Sequence, residues 1–195
     1  ALLMLIDHPE SDAAAIRQHI KGPDFPTGGI IYGREGIKDY IETGRGKVVM
    51  RARAVVEEKE SSNKSQIVVT ELPYQVNRAN LVASIAELVR DKKIEGISEL
   101  RDESDRDGMR IAIDLKRDAI ADIVLNALWK HTPLEVTYPV TMLSIVDGQP
   151  KLLDLKETLQ HFIAHRRAVV TRRTRYDLKQ AELQQEIVEG LGMAV

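Results

Sequence analysis

The sequence predicts an α+β fold, a mainly antiparallel sheet with helices packed on one face, followed by a long coiled-coil helix. Three observations predict it. Segments that alternate apolar and polar residues, as strands do, are interleaved with segments whose apolar residues recur at helical spacing. Their order is β-β-α-β-β-α-β, which favours hairpins covered by two helices. Beyond residue 154 the apolar residues recur every seven positions, which is typical of a coiled coil.

The composition is that of a globular chain. It has 195 residues, of which 43% are hydrophobic and 30% charged, so wholesale disorder is excluded. Lys and Arg number 28 against 30 Asp and Glu, so any binding to nucleic acid must come from an uneven layout of charge. The lack of cysteine excludes disulfides and fits a cytoplasmic location. Because the chain starts at Ala1 and stops inside a helical pattern, we expect a piece of a longer polypeptide.

Residues 1–46 are predicted to form an entry helix and a connection rich in Gly and Pro. Residues 11–20 place apolar side chains on one helical face. Residues 21–29 contain three glycines and two prolines, so they cannot continue that helix. A second glycine cluster occupies residues 43–47. Between the clusters, one or two helical turns are predicted from three apolar residues: Ile37, Tyr40 and Ile41.

Residues 47–153 are predicted to form the α+β domain itself, which begins with a hairpin. Residues 47–57 alternate along their whole length and predict one strand with an apolar face. A polar tip at 57–65 leads to a second strand at 66–72. Further strands are predicted from similar patterns at residues 94–100, 109–115 and 134–146, with a turn at Asp147-Gly148.

Two amphipathic helices are predicted between these strands. The first begins after Asn77, whose side chain can cap it. Its apolar stripe contains Leu81, Val82, Ile85, Leu88 and Val89. The second spans residues 118–130, and its predicted inward residues are Ile120, Ile123, Val124, Ala127 and Leu128.

Residues 154–195 are predicted to form one long helix. Asp154 and Glu157 have the spacing of a capping box. The seven-residue repeat is interrupted in its middle by Arg166, Arg173 and Gln180. The helix is also strongly basic, with Arg166, Arg167, Arg172, Arg173, Arg175 and Lys179. Such a helix either binds polyanions or pairs with acidic residues of a neighbouring helix, and the sequence leaves both open.

The segment Gly44-Arg-Gly-Lys47 invites comparison with a phosphate-binding loop. It lacks four residues between the glycines and a Ser or Thr after the lysine, which disfavours a nucleotide site. Two interpretations remain. Either a flexible loop presents backbone amides and two cations to a phosphodiester backbone, or the segment is a basic surface turn, which the local chemistry favours.

Metal sites and catalytic centres are only weakly indicated. Glu103, Asp105, Asp107 and Asp114 approach the spacing of a calcium loop, but the flanking segments read as strands and a solvated turn is the better account. His161 and His165 lie one helical turn apart without an evident third ligand. We therefore predict neither a catalytic residue nor a metal ligand in this chain.

Six segments, taken in order, resemble the breakage-reunion subunits of bacterial type IIA DNA topoisomerases, the group formed by the A subunits of DNA gyrase and topoisomerase IV, with gyrase favoured. They are Gly22-Pro-Asp-Phe-Pro-Thr27, Thr43-Gly-Arg-Gly-Lys47 with Met50-Arg-Ala-Arg53, Glu71-Leu-Pro-Tyr-Gln-Val-Asn77, Glu95-Gly-Ile-Ser98, Leu100-Arg-Asp-Glu-Ser-Asp105 with Gly108-Met-Arg110, and His165-Arg-Arg-Ala-Val-Val-Thr-Arg-Arg-Thr174. The resemblance covers residues 20 to 180.

The resemblance implies a tower domain over residues 47–153 and the first helix of a coiled coil over 154–195. It implies that double-stranded DNA, the gyrase B subunit and a second copy of the A subunit are partners in an A2B2 assembly. The family's attacking tyrosine lies in an upstream winged-helix domain, and no tyrosine here has its arginine-tyrosine context. Mg2+ and ATP belong to the B subunit, so no cofactor is expected in this chain.

The tower of this family contacts the outer arms of a bent duplex, and this identifies candidate phosphate contacts. Arg45 and Lys47 are the first candidates because glycines flank them. Lys21 and Arg34 come next. Arg51 and Arg53 are alternatives that could instead pair with acidic residues.

Overall fold

The computed structural model describes residues 1–59, 64–106 and 108–194, and the chain divides into two compact units. The first comprises residues 1–21, 41–44 and 142–195, and the second comprises 22–40 and 45–141. The first unit contains α1 (Leu2–Asp7), α2 (Ala13–His19), β8 (Leu143–Val146), β9 (Gln149–Leu152) and α6 (Leu155–Ala194). Within the described ranges no helix is both long and apolar enough to span a membrane.

The second unit contains two antiparallel sheets. One has the order β1-β2-β7 and the other the order β3-β4-β6-β5. Their strands are β1 (Ile30–Tyr32), β2 (Arg45–Arg51), β3 (Arg53–Lys59), β4 (Lys64–Glu71), β5 (Ile97–Asp102), β6 (Ile111–Leu115) and β7 (Glu135–Thr141). The helices are α4 (Arg78–Arg90), α5 (Ala121–His131) and most of α3 (Glu35–Thr43), whose last three residues belong to the first unit. The predicted α+β fold class is confirmed.

One hydrophobic core holds the second unit together. Its sheet side chains include Ile67, Val69, Ile111 and Ile113, and its helix side chains include Leu81, Ile85, Val124 and Leu128. Each apolar side chain buried in this way contributes about 1.5–3 kcal/mol relative to an exposed one. Helices α4 and α5 therefore owe their positions to the apolar stripes that the sequence predicts for them.

The opposite face of the four-stranded sheet is closed by ion pairs. The alternation at residues 109–115 predicts one buried face, but all five residues of β6 are buried. Arg101 explains this, because its guanidinium covers the sheet and binds Asp114 at 2.7 Å and Glu103 at 3.0 Å. The hydrogen bonds from Glu103 and Asp114 hold the pKa of Arg101 above its usual value.

The predicted strand at residues 47–57 is two strands, because the chain changes sheets at Ala52. The backbone N–H of Ala52 donates to the carbonyl of Leu134 at 2.8 Å. The register then shifts between Arg53 and Ala54 as β3 pairs with β4. The predicted tip at 57–65 is shorter than expected, since β3 runs to Lys59 and β4 starts at Lys64. Residues 60–63 lie outside the described residues.

The helices confirm the predicted caps and correct one predicted stripe. The N–H of Asn80 donates to the Asn77 side chain at 3.0 Å, so Asn77 caps α4. Helix α5 begins at Ala121 rather than Asp118. Ile120 and Ile123 are each 62% exposed, so the prediction that they point inward is wrong. The helix buries only the narrow side that carries Val124 and Leu128.

Helix α6 is a single helix of 40 residues and therefore about 60 Å long. Its predicted capping box is present: the N–H of Glu157 donates to Asp154 at 2.7 Å, and the N–H of Asp154 donates to Glu157 at 3.0 Å. The side chains of the seven-residue repeat are largely exposed, with Phe162 at 50% and Tyr176 at 64%. Its pairing with a second helix stays a prediction.

Glu71 fastens the Gly- and Pro-rich connection to the four-stranded sheet. Its carboxylate accepts from the backbone N–H of Gly29 and, at 2.8 Å, from Arg53. Gly29 has φ +93°, a left-handed conformation that glycine adopts readily. The bond from Gly29, and secondarily Arg53, lowers the pKa of Glu71 below its usual value.

The stabilisation from Glu71 is expected to depend on pH. Because the pKa of the folded state is below the unfolded value of about 4.3, the stabilisation is present above that pH and is lost as pH falls through the folded pKa. Glu71→Gln should therefore be less stable than the parent at neutral pH, with a gap that closes in acid. Urea unfolding at a series of pH values measures this. A gap that stays constant with pH, or one equalled by Glu87→Gln on the exposed side of α4, would contradict the assignment.

Candidate nucleic-acid interface

The segment that contains Arg45 and Lys47 is an ordered strand, so both interpretations as a loop or turn are wrong. It forms β2, which pairs with β7 along its length, from Arg45 opposite Thr141 to Arg51 opposite Glu135. The backbone of β2 is thus engaged in the sheet. Since alternate side chains of a strand share a face, Arg45 and Lys47 project from the same side, and both are exposed.

The glycines beside these cations allow α3 to pack directly on β2. A Cβ atom on Gly46 would lie 2.2 Å from the carbonyl oxygen of Gly36. A Cβ atom on Gly36 would lie 1.8 Å from the carbonyl oxygen of Lys47. Helix and strand therefore meet backbone to backbone. The glycines serve this close approach rather than the cradling of a phosphate.

This packing creates a cleft that brings together two of the four predicted cations. Its lining runs from Ile31 to Ile37 on one side and from Lys47 to Val49 on the other. Arg34 and Lys47 both belong to it. The first turn of α3 forms part of the wall, and the partial positive charge at a helix start adds to that of the two side chains. Glu35 is the acidic residue of this lining.

The cleft cations differ from most arginines of the second unit in being unpaired. Arg51, Arg53, Arg78, Arg101 and Arg110 each form an ion pair with a carboxylate. Among the described residues, Arg34 and Lys47 form none. An ion-paired arginine has its charge already compensated within the fold. Arg34 and Lys47 are exposed and can accept an external anion.

The other two candidates lie elsewhere. Arg45 is exposed at the start of β2 but does not line the cleft. Lys21 is exposed and belongs to the first unit, whereas the remaining three belong to the second. The structure thus places Arg34 and Lys47 together, Arg45 one alternate position along the same strand, and Lys21 in the other unit.

Tyr32 is a residue of this surface that the sequence did not suggest. It pairs with Val49 across the sheet, is 58% exposed and lines the cleft. The guanidinium of Arg51 lies 3.7 Å above its ring and pairs with Glu135, so Arg51 is held in place. Only the register of β1 against β2 reveals this neighbourhood. No local pattern could have found it.

The acidic turn and the two helix histidines form no metal site in the part of the chain that the structure describes, where no group of three suitable ligands occurs. Asp107 of the turn lies outside the described residues. Glu103 and Asp114, two of the proposed calcium ligands, bind Arg101 instead. His161 and His165 are exposed on α6.

Comparison with known proteins gives a consistent result over the full length of the chain. Residues 1–195 match the family model of the A subunit of DNA gyrase/topoisomerase IV. The DNA gyrase A subunit of Clostridium acetobutylicum is 53% identical over 194 residues, covering 100% of this chain and 23% of that protein. The A subunit of Pseudomonas aeruginosa is 52% identical, covering 99% and 21%. That of Staphylococcus aureus strain NCTC 8325 is 49% identical, covering 100% and 22%.

The chain spans less than a quarter of the length of these relatives. The match nevertheless includes both units and every motif that carries the resemblance. The chain belongs to the family of DNA gyrase and topoisomerase IV A subunits.

Proposed function

We propose that this chain is a DNA-binding structural segment of the DNA gyrase A subunit, which supports the bent gate duplex during ATP-dependent double-strand passage and negative supercoiling. The observation that carries the proposal is the cleft in which Arg34 and Lys47 stand without carboxylate partners among the described residues. The names of the relatives supply the enzyme class, a type IIA topoisomerase.

The proposed role is mechanical. Bending a duplex site costs about 1–6 kcal/mol in smooth elastic estimates, and contacts to the phosphates of the arms offset that cost. A stiff support suits this task better than a flexible loop. Strand β2 has such stiffness because it lies between β1 and β7 and carries α3 on one face. In this scheme residues 47–153 are the tower and α6 is the first helix of the coiled coil.

The chemistry of strand breakage is assigned to other parts of the enzyme. Tyr74 and Tyr138 pack with Phe25, with ring centroids 5.2–6.0 Å apart. Tyr40 is buried, and this burial raises the pKa of its hydroxyl. Neither setting suits a nucleophile. In the proposed cytoplasmic A2B2 assembly, the attacking tyrosine comes from an upstream domain, and the B subunit supplies the Mg2+ and ATP sites.

The DNA contact is tested by salt dependence. Duplex binding by the chain is expected to weaken with salt, with a log–log slope of about 0.9 per neutralised phosphate. Arg34→Gln with Lys47→Gln should therefore reduce the slope by about 2 units. Fluorescence anisotropy with a labelled duplex over a salt series measures it.

The matched control removes two exposed cations that lie outside the cleft, Lys116→Gln with Arg117→Gln. It changes the net charge equally and should leave the slope close to that of the parent. If the cleft variant keeps the parent's slope, Arg34 and Lys47 are not phosphate contacts.

A further inference from the structure

Helix α6 carries a second group of cations, which the proposed function does not use. Arg172, Arg175 and Lys179 follow one another at intervals of three and four residues, so they share one face of the helix. All three are exposed. Asp177 is the only acidic residue from 158 to 181. Its spacing of two residues from Arg175 and from Lys179 puts it on the other side of the helix.

This face, formed by Arg172, Arg175 and Lys179, is electrostatically uncompensated. In the part of the chain that the structure describes, none of the three forms an ion pair or a side-chain hydrogen bond. Seven residues of helix extend about 10 Å, so three like charges lie along a short straight line. Their mutual repulsion is relieved by any ligand that presents a matching line of negative charge.

Two kinds of partner could supply such charge, and the positions of the cations favour nucleic acid. The apolar repeat Val169, Tyr176 and Leu183 marks the side that a partner helix would cover. Arg172 and Lys179 flank that side, and a partner helix could reach them. Arg175 lies farther round, beyond the flanking positions, where a coiled-coil partner makes no contact.

A duplex backbone fits all three positions. It carries one negative charge per about 1.7 Å of axis and accepts a row of cations of one sign. A helix-pairing surface instead mixes the two signs at its flanking positions, which sets register. We propose that the face formed by Arg172, Arg175 and Lys179 is a second contact surface for double-stranded nucleic acid, separate from the cleft of Arg34 and Lys47.

The test replaces the three cations by glutamine, which has a similar helix propensity. The variant Arg172→Gln, Arg175→Gln, Lys179→Gln is made in the complete 195-residue chain and should retain the parent's far-UV circular dichroism. Its salt slope for a labelled duplex should fall by about 2 to 3 units, at about 0.9 per contact. The control Lys116→Gln, Arg117→Gln, Lys130→Gln changes the net charge equally and should keep the parent's slope.

The outcomes separate this proposal from the proposed function. A lowered slope in the α6 variant supports the second surface, whatever the cleft variant does. An unchanged slope overturns it, even if Arg34→Gln with Lys47→Gln lowers the slope as expected. The proposal is also wrong if the α6 variant keeps its duplex affinity but loses affinity for a synthetic amphipathic helix with glutamates at its charged positions, because the face would then be a helix-pairing surface.

Discussion

Replacing Gly36 by alanine is expected to lower the free energy of unfolding by about 3 kcal/mol, the upper part of the range for overpacked sites. The added Cβ would lie 1.8 Å from the carbonyl oxygen of Lys47 and 2.5 Å from its carbonyl carbon. Both are backbone atoms of a strand that pairs with β7 along its length. They cannot retreat without breaking that pairing, so α3 must move instead.

Helix propensity alone predicts the opposite sign. Alanine is better than glycine inside a helix by about 1 kcal/mol, and Gly36 lies in the first turn of α3. Gly190 provides the matched control, because it lies in α6 and a Cβ added there would have no atom within 4 Å among its possible neighbours outside the helix backbone. Gly190→Ala should therefore be neutral or slightly stabilising. Urea unfolding with linear extrapolation compares the two.

A Gly36→Ala chain as stable as Gly190→Ala would show that α3 does not rest on β2. The same variant also has a consequence for DNA. Since Arg34 precedes α3 and Lys47 follows Gly46 on β2, moving the helix should separate the two cleft cations. The salt slope of Gly36→Ala should then approach that of Arg34→Gln with Lys47→Gln.

The sequence predicted best those features whose cause is local. The caps at Asn77 and Asp154 depend on residues three positions apart, and both are confirmed. The change of sheet at Ala52 was missed for the opposite reason. It depends on the carbonyl of Leu134, far along the chain, while Ala52 itself fits an unbroken strand pattern.

The candidate site shows the same division. Alternation along β2 predicts that Arg45 and Lys47 share a face. Which arginines are already paired is a matter of tertiary structure, since Arg51 binds Glu135, 84 residues away, and Arg110 binds Glu57, 53 residues away. The cleft that joins Arg34 to Lys47 likewise exists only once α3 lies against β2.

Helix α5 offers the second large effect, a comparison of two residues that the sequence alone assigns to the same inward stripe. Leu128 is fully buried, whereas Ile123 is 62% exposed. Leu128→Ala should cost about 2–5 kcal/mol, the transfer and cavity loss of a core leucine. Ile123→Ala should stay within about 0.5 kcal/mol of the parent, because little area is lost and alanine favours the helix.

Urea midpoints of the two variants decide between a narrow and a wide buried stripe. Both substitutions shorten an aliphatic side chain on the same helix, so helix propensity changes in the same direction and burial is the main difference. Equal losses would mean that α5 buries Ile123 as well and that the wide stripe of the periodic pattern is correct. A large loss at Leu128 alone places the core of the second unit on the side of Val124 and Leu128, where α5 packs against the sheet.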